Sequence, residues 1–289
     1  MIETLLILIV TALSCSLLGV FLILRKLSML TDAISHSVLL GIVLGFFITG
    51  DLSSPLLIVG ASLMGVFTVF LVETIGKSKL SKYDDAIGMV FPFLFSLAVI
   101  LISKYFRNVH LDTDVVLLGE LLFSSLAKVN ILGFHLAKSL VEGLIILALV
   151  LAFIGIFYKG LKISTFDPNF AKVVGLPTGI IFYMLMVLTS LTAVVSFNSL
   201  GAILVISCFI GPAAIALLIS KSLLNALVLS ALIASLNSSL AFFLGMYLNV
   251  SISGMVSSFN LFLYFVILLI KKYIVTSKRK GINYGKTTH

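Results

Sequence analysis

The chain has 289 residues, of which 61% are hydrophobic and only 10% charged, with a mean hydropathy of +1.27. An ordinary soluble domain carries about 25% charged residues, so a water-soluble fold is excluded: it has no means of hiding this much apolar surface. The formal net charge of +8 does not indicate nucleic acid either, because the basic residues sit in short clusters between apolar runs rather than on a basic, aromatic-interleaved face.

Apolar runs near twenty residues recur along the chain, and about 20 residues of helix cross the roughly 30 Å hydrocarbon core. Charged and Pro/Gly-containing loops divide these runs into spans near 4–24, 31–49, 55–76, 86–105, 136–158, 178–196, 200–220, 222–248 and 254–270. The predicted fold is therefore all-α, a polytopic membrane protein with about nine transmembrane helices (eight to ten). Residues 1–270 form the membrane domain and 271–289 a basic tail.

The first run, Leu5 to Leu24, follows Glu3 and lacks a basic start, so it reads as a span rather than a secretion signal. Cys15 and Cys208 lie in separate apolar runs without CxxC spacing, which indicates core or lipid-facing positions and no thiolate site. An external N-terminus leaves only Lys104, Arg107, Lys128 and Lys138 outside and the remaining fifteen of the nineteen Lys and Arg residues inside. The positive-inside rule selects that orientation, with a cytoplasmic C-terminus.

The second span opens Thr31-Asp32-Ala33-Ile34-Ser35-His36 and then runs apolar to Ile48. Asp32 and His36 stand four apart and share one helix face. At ~1.5 Å per residue, Asp32 lies about 9 Å beyond Lys26. A carboxylate at the centre of an apolar span costs about 2.5 to 3.5 kcal/mol, so such acids face a cavity or a partner. Two readings fit the spacing: the pair ligates a cation, or Asp32 caps the helix start while His36 bonds a neighbouring carbonyl. Gly41 and Gly45 on this span admit a neighbouring helix at close range.

The fourth span carries Gly88 with Pro92 and the seventh Gly211 with Pro212; proline removes a backbone donor, so breaks are expected there. Asp84 and Asp85 read as favourable charges at a helix N-terminus. The segment 109–129 is ambiguous, an external loop helix or a re-entrant one, and its His110, Asp112, Asp114 and Glu120 form an acidic exterior patch.

The stretch Phe166-Asp167-Pro168-Asn169-Phe170-Ala171-Lys172-Val173-Val174-Gly175 has the punctuation of a short helix. Asp167 stands as N-cap, Pro168 in the first turn and Gly175 past the end. Gly76-Lys77-Ser78 is no phosphate-binding loop, because Leu71 stands where the required earlier glycine belongs.

The run from Asp32 through Gly41 resembles the signature D-A-(I/L)-S-H-(A/S)-V-L-x-G of the manganese-, zinc- and iron-importing ABC permeases. The likeness continues through Asp85-Ala86-Ile87-Gly88, Leu118-Gly119-Glu120, Phe166-Asp167-Pro168 and Ser196 to Ala216. Leu40 departs from the usual proline, and Gly211 before Pro212 is a second departure.

The resemblance implies a multi-pass protein of the bacterial cell membrane whose Asp32 and His36, with Glu120 as a further candidate, ligate the transported manganese, zinc or iron. It implies that the chain binds no cofactor of its own. It also implies that Phe166, Asp167, Pro168, Asn169, Phe170, Ala171 and Gly175 form a cytoplasmic coupling helix for a separate ABC ATPase subunit. An extracytoplasmic metal-binding protein and a second permease copy are the other expected partners. A proton-coupled secondary metal transporter is the alternative, with Asp32 and His36 relaying protons.

Overall fold

A computed structural model describes residues 1–51, 54, 56–78, 82–105, 128–131 and 134–284. Among these, nine helices are long and apolar enough to cross a membrane. They are α1 (Ile2–Leu24), α2 (Leu30–Thr49), α3 (Leu56–Gly76), α4 (Tyr83–Tyr105), α5 (Lys138–Phe166), α7 (Thr178–Leu200), α8 (Ala202–Ile219), α9 (Leu223–Leu248) and α10 (Ile252–Tyr284). Between α5 and α7 lies the six-residue α6 (Pro168–Val173). An antiparallel hairpin, β1 (Lys128–Ile131) with β2 (Phe134–Ala137), precedes α5 and pairs Lys128 with Ala137 and Ile131 with Phe134. The hairpin is the one departure from helix-only structure among the described residues.

The first two spans, α1 and α2, are the most buried. Helix α1 is a central post, packed by α5, α7, α8 and α9, while α2 packs on α3, α4 and α7. Facing α3, the carbonyl oxygen of Gly41 lies where a Cβ on Gly60 would stand only 2.6 Å away. Backbones meet this closely only where both residues are small. Hydroxyls join the spans elsewhere: Thr68 donates to Ser37 Oγ at 2.7 Å and Ser190 to the Ser62 carbonyl at 3.2 Å. Asn237 donates to Asn260 Oδ1 at 2.9 Å, linking α9 to α10. Large apolar side chains such as Phe47, Leu63, Ile156 and Phe262 point outward, as lipid-facing residues do.

Three boundaries differ from the sequence expectation. Helix α5 runs through Lys159, Gly160 and Lys162 to Phe166, because Leu161 and Ser164 are buried while the lysines turn outward. Charge ended the apolar run but not the amphipathic helix. Helix α10 likewise continues without a break from Ile252 into the basic tail, to Tyr284. The expected breaks at Pro92 and Pro212 are absent, and α4 and α8 run through both prolines. The missing proline N–H leaves the carbonyls of Gly88 and Cys208, four residues earlier, without their usual helical donor. Near the boundary expected between the spans 178–196 and 200–220 the chain does break, at Gly201, whose φ of +80° and ψ of 156° occupy a region essentially confined to glycine.

Candidate metal site and coupling helix

Helix α2 begins at Leu30 and carries Asp32 at its third position, with Met29 as the N-cap residue and no side-chain capping bond. The helix-cap reading of Asp32 is thus without its hydrogen bond. One turn further, His36 Nε2 approaches Asp32 Oδ1 to 3.5 Å. The pair stays accessible, with the His36 side chain 32% and the Asp32 side chain 41% exposed. Among the described residues no carbonyl bonds His36; aromatic rings from α4 pack against it. Phe91 stacks on its imidazole with centroids 5.6 Å apart and Phe95 meets it edge-on at 5.7 Å.

Asp32 opens on a cavity of about 620 Å³ lined by the α1–α2 turn (Lys26, Ser28, Met29) and by Asp84, Gly88 and Phe91 of α4. Asp85 behaves as the sequence suggests, accepting from the Lys82 amide at 3.1 Å at the start of α4. Asp84 stands in the first turn of α4 as expected and in addition lines the Asp32 cavity, a placement the sequence reading missed. Phe91 and Phe95 were missed too, although their spacing of four puts both on one helix face.

The cavity therefore offers the Asp32 and Asp84 carboxylates and the Gly88 peptide, and the His36 imidazole stands beside Asp32 at its edge on α2; oxygen with imidazole nitrogen is a hard-to-borderline donor set suited to manganese, zinc or ferrous iron. Among the described residues no three His, Cys, Asp or Glu side chains converge on one point. Glu120, together with His110, Asp112 and Asp114, lies outside the described residues.

A further carboxylate, Glu73, is buried in the last turn of α3 and ion-paired to Lys77 one turn on. Hydrogen bonding to Glu73 pushes the Lys77 ammonium pKa upward. The spacing of four, acid before base, is a stabilising helix pair and was the available signal.

Helix α6 matches its sequence punctuation. Asp167 accepts from the Phe170 amide at 2.9 Å and Pro168 occupies the first turn. At the far end Gly175, at φ +79°, closes a Schellman motif in which the Leu176 amide bonds Ala171 O at 3.0 Å and the Gly175 amide bonds Lys172 O at 3.1 Å. Ala171 is buried and anchors the helix. Phe166, Phe170, Val173 and Val174 are exposed, as is Asn169. Lys159, Lys162, Phe166, Asp167 and Phe170 line a shallow hollow beside it. The helix is thus capped at both ends and leaves apolar side chains exposed.

Residues 1–271 match the sequence profile of the ABC 3 transport family, ABC-3. The chain belongs to this family. It is 44% identical over 252 residues to the zinc transport system membrane protein TroD of Treponema pallidum, covering 87% of this chain and 69% of that protein. To the manganese transport system membrane protein MntD of Bacillus subtilis it is 41% identical over 278 residues, covering 94% and 93%. The fold matches that of a chain in PsaBC from Streptococcus pneumoniae, solved in complex with Fab. There the TM-score is 0.78 at 29% identity, over 95% of this chain and 94% of that one. This ABC-3 protein is a multi-pass membrane permease of a metal-transporting ABC family.

Proposed function

We propose that this ABC-3 permease carries a divalent transition metal, manganese, zinc or iron, inward across the bacterial cell membrane, driven by ATP hydrolysis in a separate subunit. The observation that carries this reading is the Asp32–His36 pair, 3.5 Å apart, with Asp32 open to a cavity and without a capping bond. Asp32 supplies negative charge, His36 a neutral imidazole nitrogen, and water completes the coordination shell. The Gly88 carbonyl, released from its helical donor by Pro92, is a further oxygen donor. Phe91 and Phe95 hold the imidazole plane, so His36 meets the ion in one orientation.

The partners follow from the surfaces. Helix α6, with the end of α5, docks the ATPase through Phe170, Val173 and Phe166, which are exposed on the side where the charge distribution puts the cytoplasm. With the nine crossings found among the described residues the two termini lie on opposite sides, and the charge distribution favours an external N-terminus. A second copy of the chain encloses the translocation path, and an extracytoplasmic metal-binding protein delivers the ion.

Proteoliposomes holding the permease with its ATPase test this reading. Uptake of radiolabelled manganese or zinc should require ATP on the α6 side. Equal uptake driven by a proton gradient in vesicles without the ATPase would contradict it and favour the proton-coupled alternative.

A further inference from the structure

Arg25 ends α1 and reaches both arms of the loop that holds α6. Its Nη2 donates to Ser164 Oγ at 2.8 Å and its Nε to Thr165 Oγ1 at 3.1 Å, in the last turn of α5, two residues before the Asp167 cap. On the other arm, its guanidinium carbon lies 5.9 Å from the centre of the Phe182 ring, near the start of α7. One side chain thus touches the chain on either side of the coupling helix.

Along the backbone, Arg25 leads directly into the turn that lines the Asp32 cavity. Lys26 follows at φ +59°, a left-handed conformation that costs a non-glycine residue about 1 to 2 kcal/mol. The Lys26 amide bonds Ile23 O at 3.0 Å and the Leu27 amide bonds Leu22 O at 2.8 Å, so the turn is a closed Schellman motif. Leu27 is buried beneath it. Lys26, Ser28, Met29 and Asp32 then line the cavity in succession. A stiff turn of this kind moves as a unit with the side chain at its base.

Arg25 has no carboxylate in ion-pair range among the described residues, and burial lowers its pKa to about 10, which leaves it charged at neutral pH. A topology anchor needs only an exposed charge, as Lys26 shows. A half-buried guanidinium forked onto two hydroxyls and stacked on a ring is a positional device, since its planar donors fix geometry as well as charge.

We propose that Arg25 is the positioning residue that carries movement of α6 to the Asp32 cavity, by tying the ends of α5 and α7 to the α1–α2 turn. The inference rests on the reading that α6 engages an ATPase.

The test uses the complete complex of permease, ATPase and metal-binding protein in proteoliposomes, measuring uptake of radiolabelled manganese or zinc and ATP hydrolysis in the same vesicles. Arg25→Gln should keep ATP hydrolysis while metal carried per ATP falls about tenfold, the fold-change that losing one charge-assisted hydrogen bond corresponds to. Arg25→Lys should recover part of that ratio. Ser164→Ala combined with Thr165→Val, which leaves Arg25 in place, should lower the ratio in the same direction. A wild-type ratio in Arg25→Gln would overturn the assignment. So would uptake and hydrolysis falling in parallel with the ratio unchanged. If Arg25→Gln fails to assemble, the double variant decides on the same two criteria. A wild-type complex without ATP-dependent uptake would remove the functional reading itself, and the Arg25 role with it.

Discussion

The Asp167 carboxylate accepts the Phe170 amide hydrogen at 2.9 Å, and that bond fixes where α6 begins relative to the end of α5. Asp167→Ala removes an N-cap, a loss of about 0.5 to 2 kcal/mol of helix stability. We predict weaker co-purification of the ATPase and less metal carried per ATP, with unchanged yield of folded permease. Asp167→Asn, which keeps a capping oxygen, should retain most of both. Equal loss in the two variants would mean that the charge, and not the cap, matters.

Gly41 and Gly60 set the distance between α2 and α3. A Cβ on Gly60 meets the Gly41 carbonyl at 2.6 Å, so Gly60→Ala must push the helices apart, at about 1 to 3 kcal/mol. Gly88 is the internal control, because a Cβ there meets nothing within 4 Å. Thermal unfolding in detergent should drop for Gly60→Ala and hold for Gly88→Ala. A similar melting point for Gly60→Ala and wild type would contradict the close approach.

Much of this architecture was legible because the bilayer demands long apolar runs, and charge, Pro or Gly separates each span from the next. The α6 helix was legible for a local reason: Asp167, Pro168 and Gly175 act within a few residues of themselves. What escaped depends on tertiary contact. Lys159 and Lys162 looked like the end of a span, yet Leu161 and Ser164 are buried and the helix continues to Phe166. Pro92 and Pro212 looked like breaks, yet both helices run through them. Asp84 and Asp85 are adjacent and chemically identical; which one caps the helix and which lines the cavity follows from how α4 lies against α2. The Asp32–His36 pair was visible as a spacing, whereas the rings of Phe91 and Phe95 that hold His36 come from another helix.

Membrane orientation gives a third prediction. With the N-terminus outside, the exposed Asp51 after α2 faces the exterior, and the exposed Lys221 between α8 and α9 faces the cytoplasm. Native Cys15 and Cys208 are buried and should contribute little background. In sealed cells an impermeant maleimide should label Asp51→Cys and leave Lys221→Cys unlabelled until the membrane is permeabilised. The reverse pattern would invert the topology and place α6 outside.

The role of Asp32 and His36 in carrying the ion is the claim on which the rest depends. Asp32→Asn keeps the size and removes the charge; His36→Leu removes the imidazole nitrogen. Neither side chain makes a capping bond or holds the helix start, so both variants should fold and assemble with the ATPase. The deciding measurement is ATP-dependent uptake of radiolabelled manganese or zinc by the reconstituted complexes. Each variant should fall to the background of vesicles without ATP while remaining assembled. Wild-type uptake rates in both would contradict the metal-site assignment.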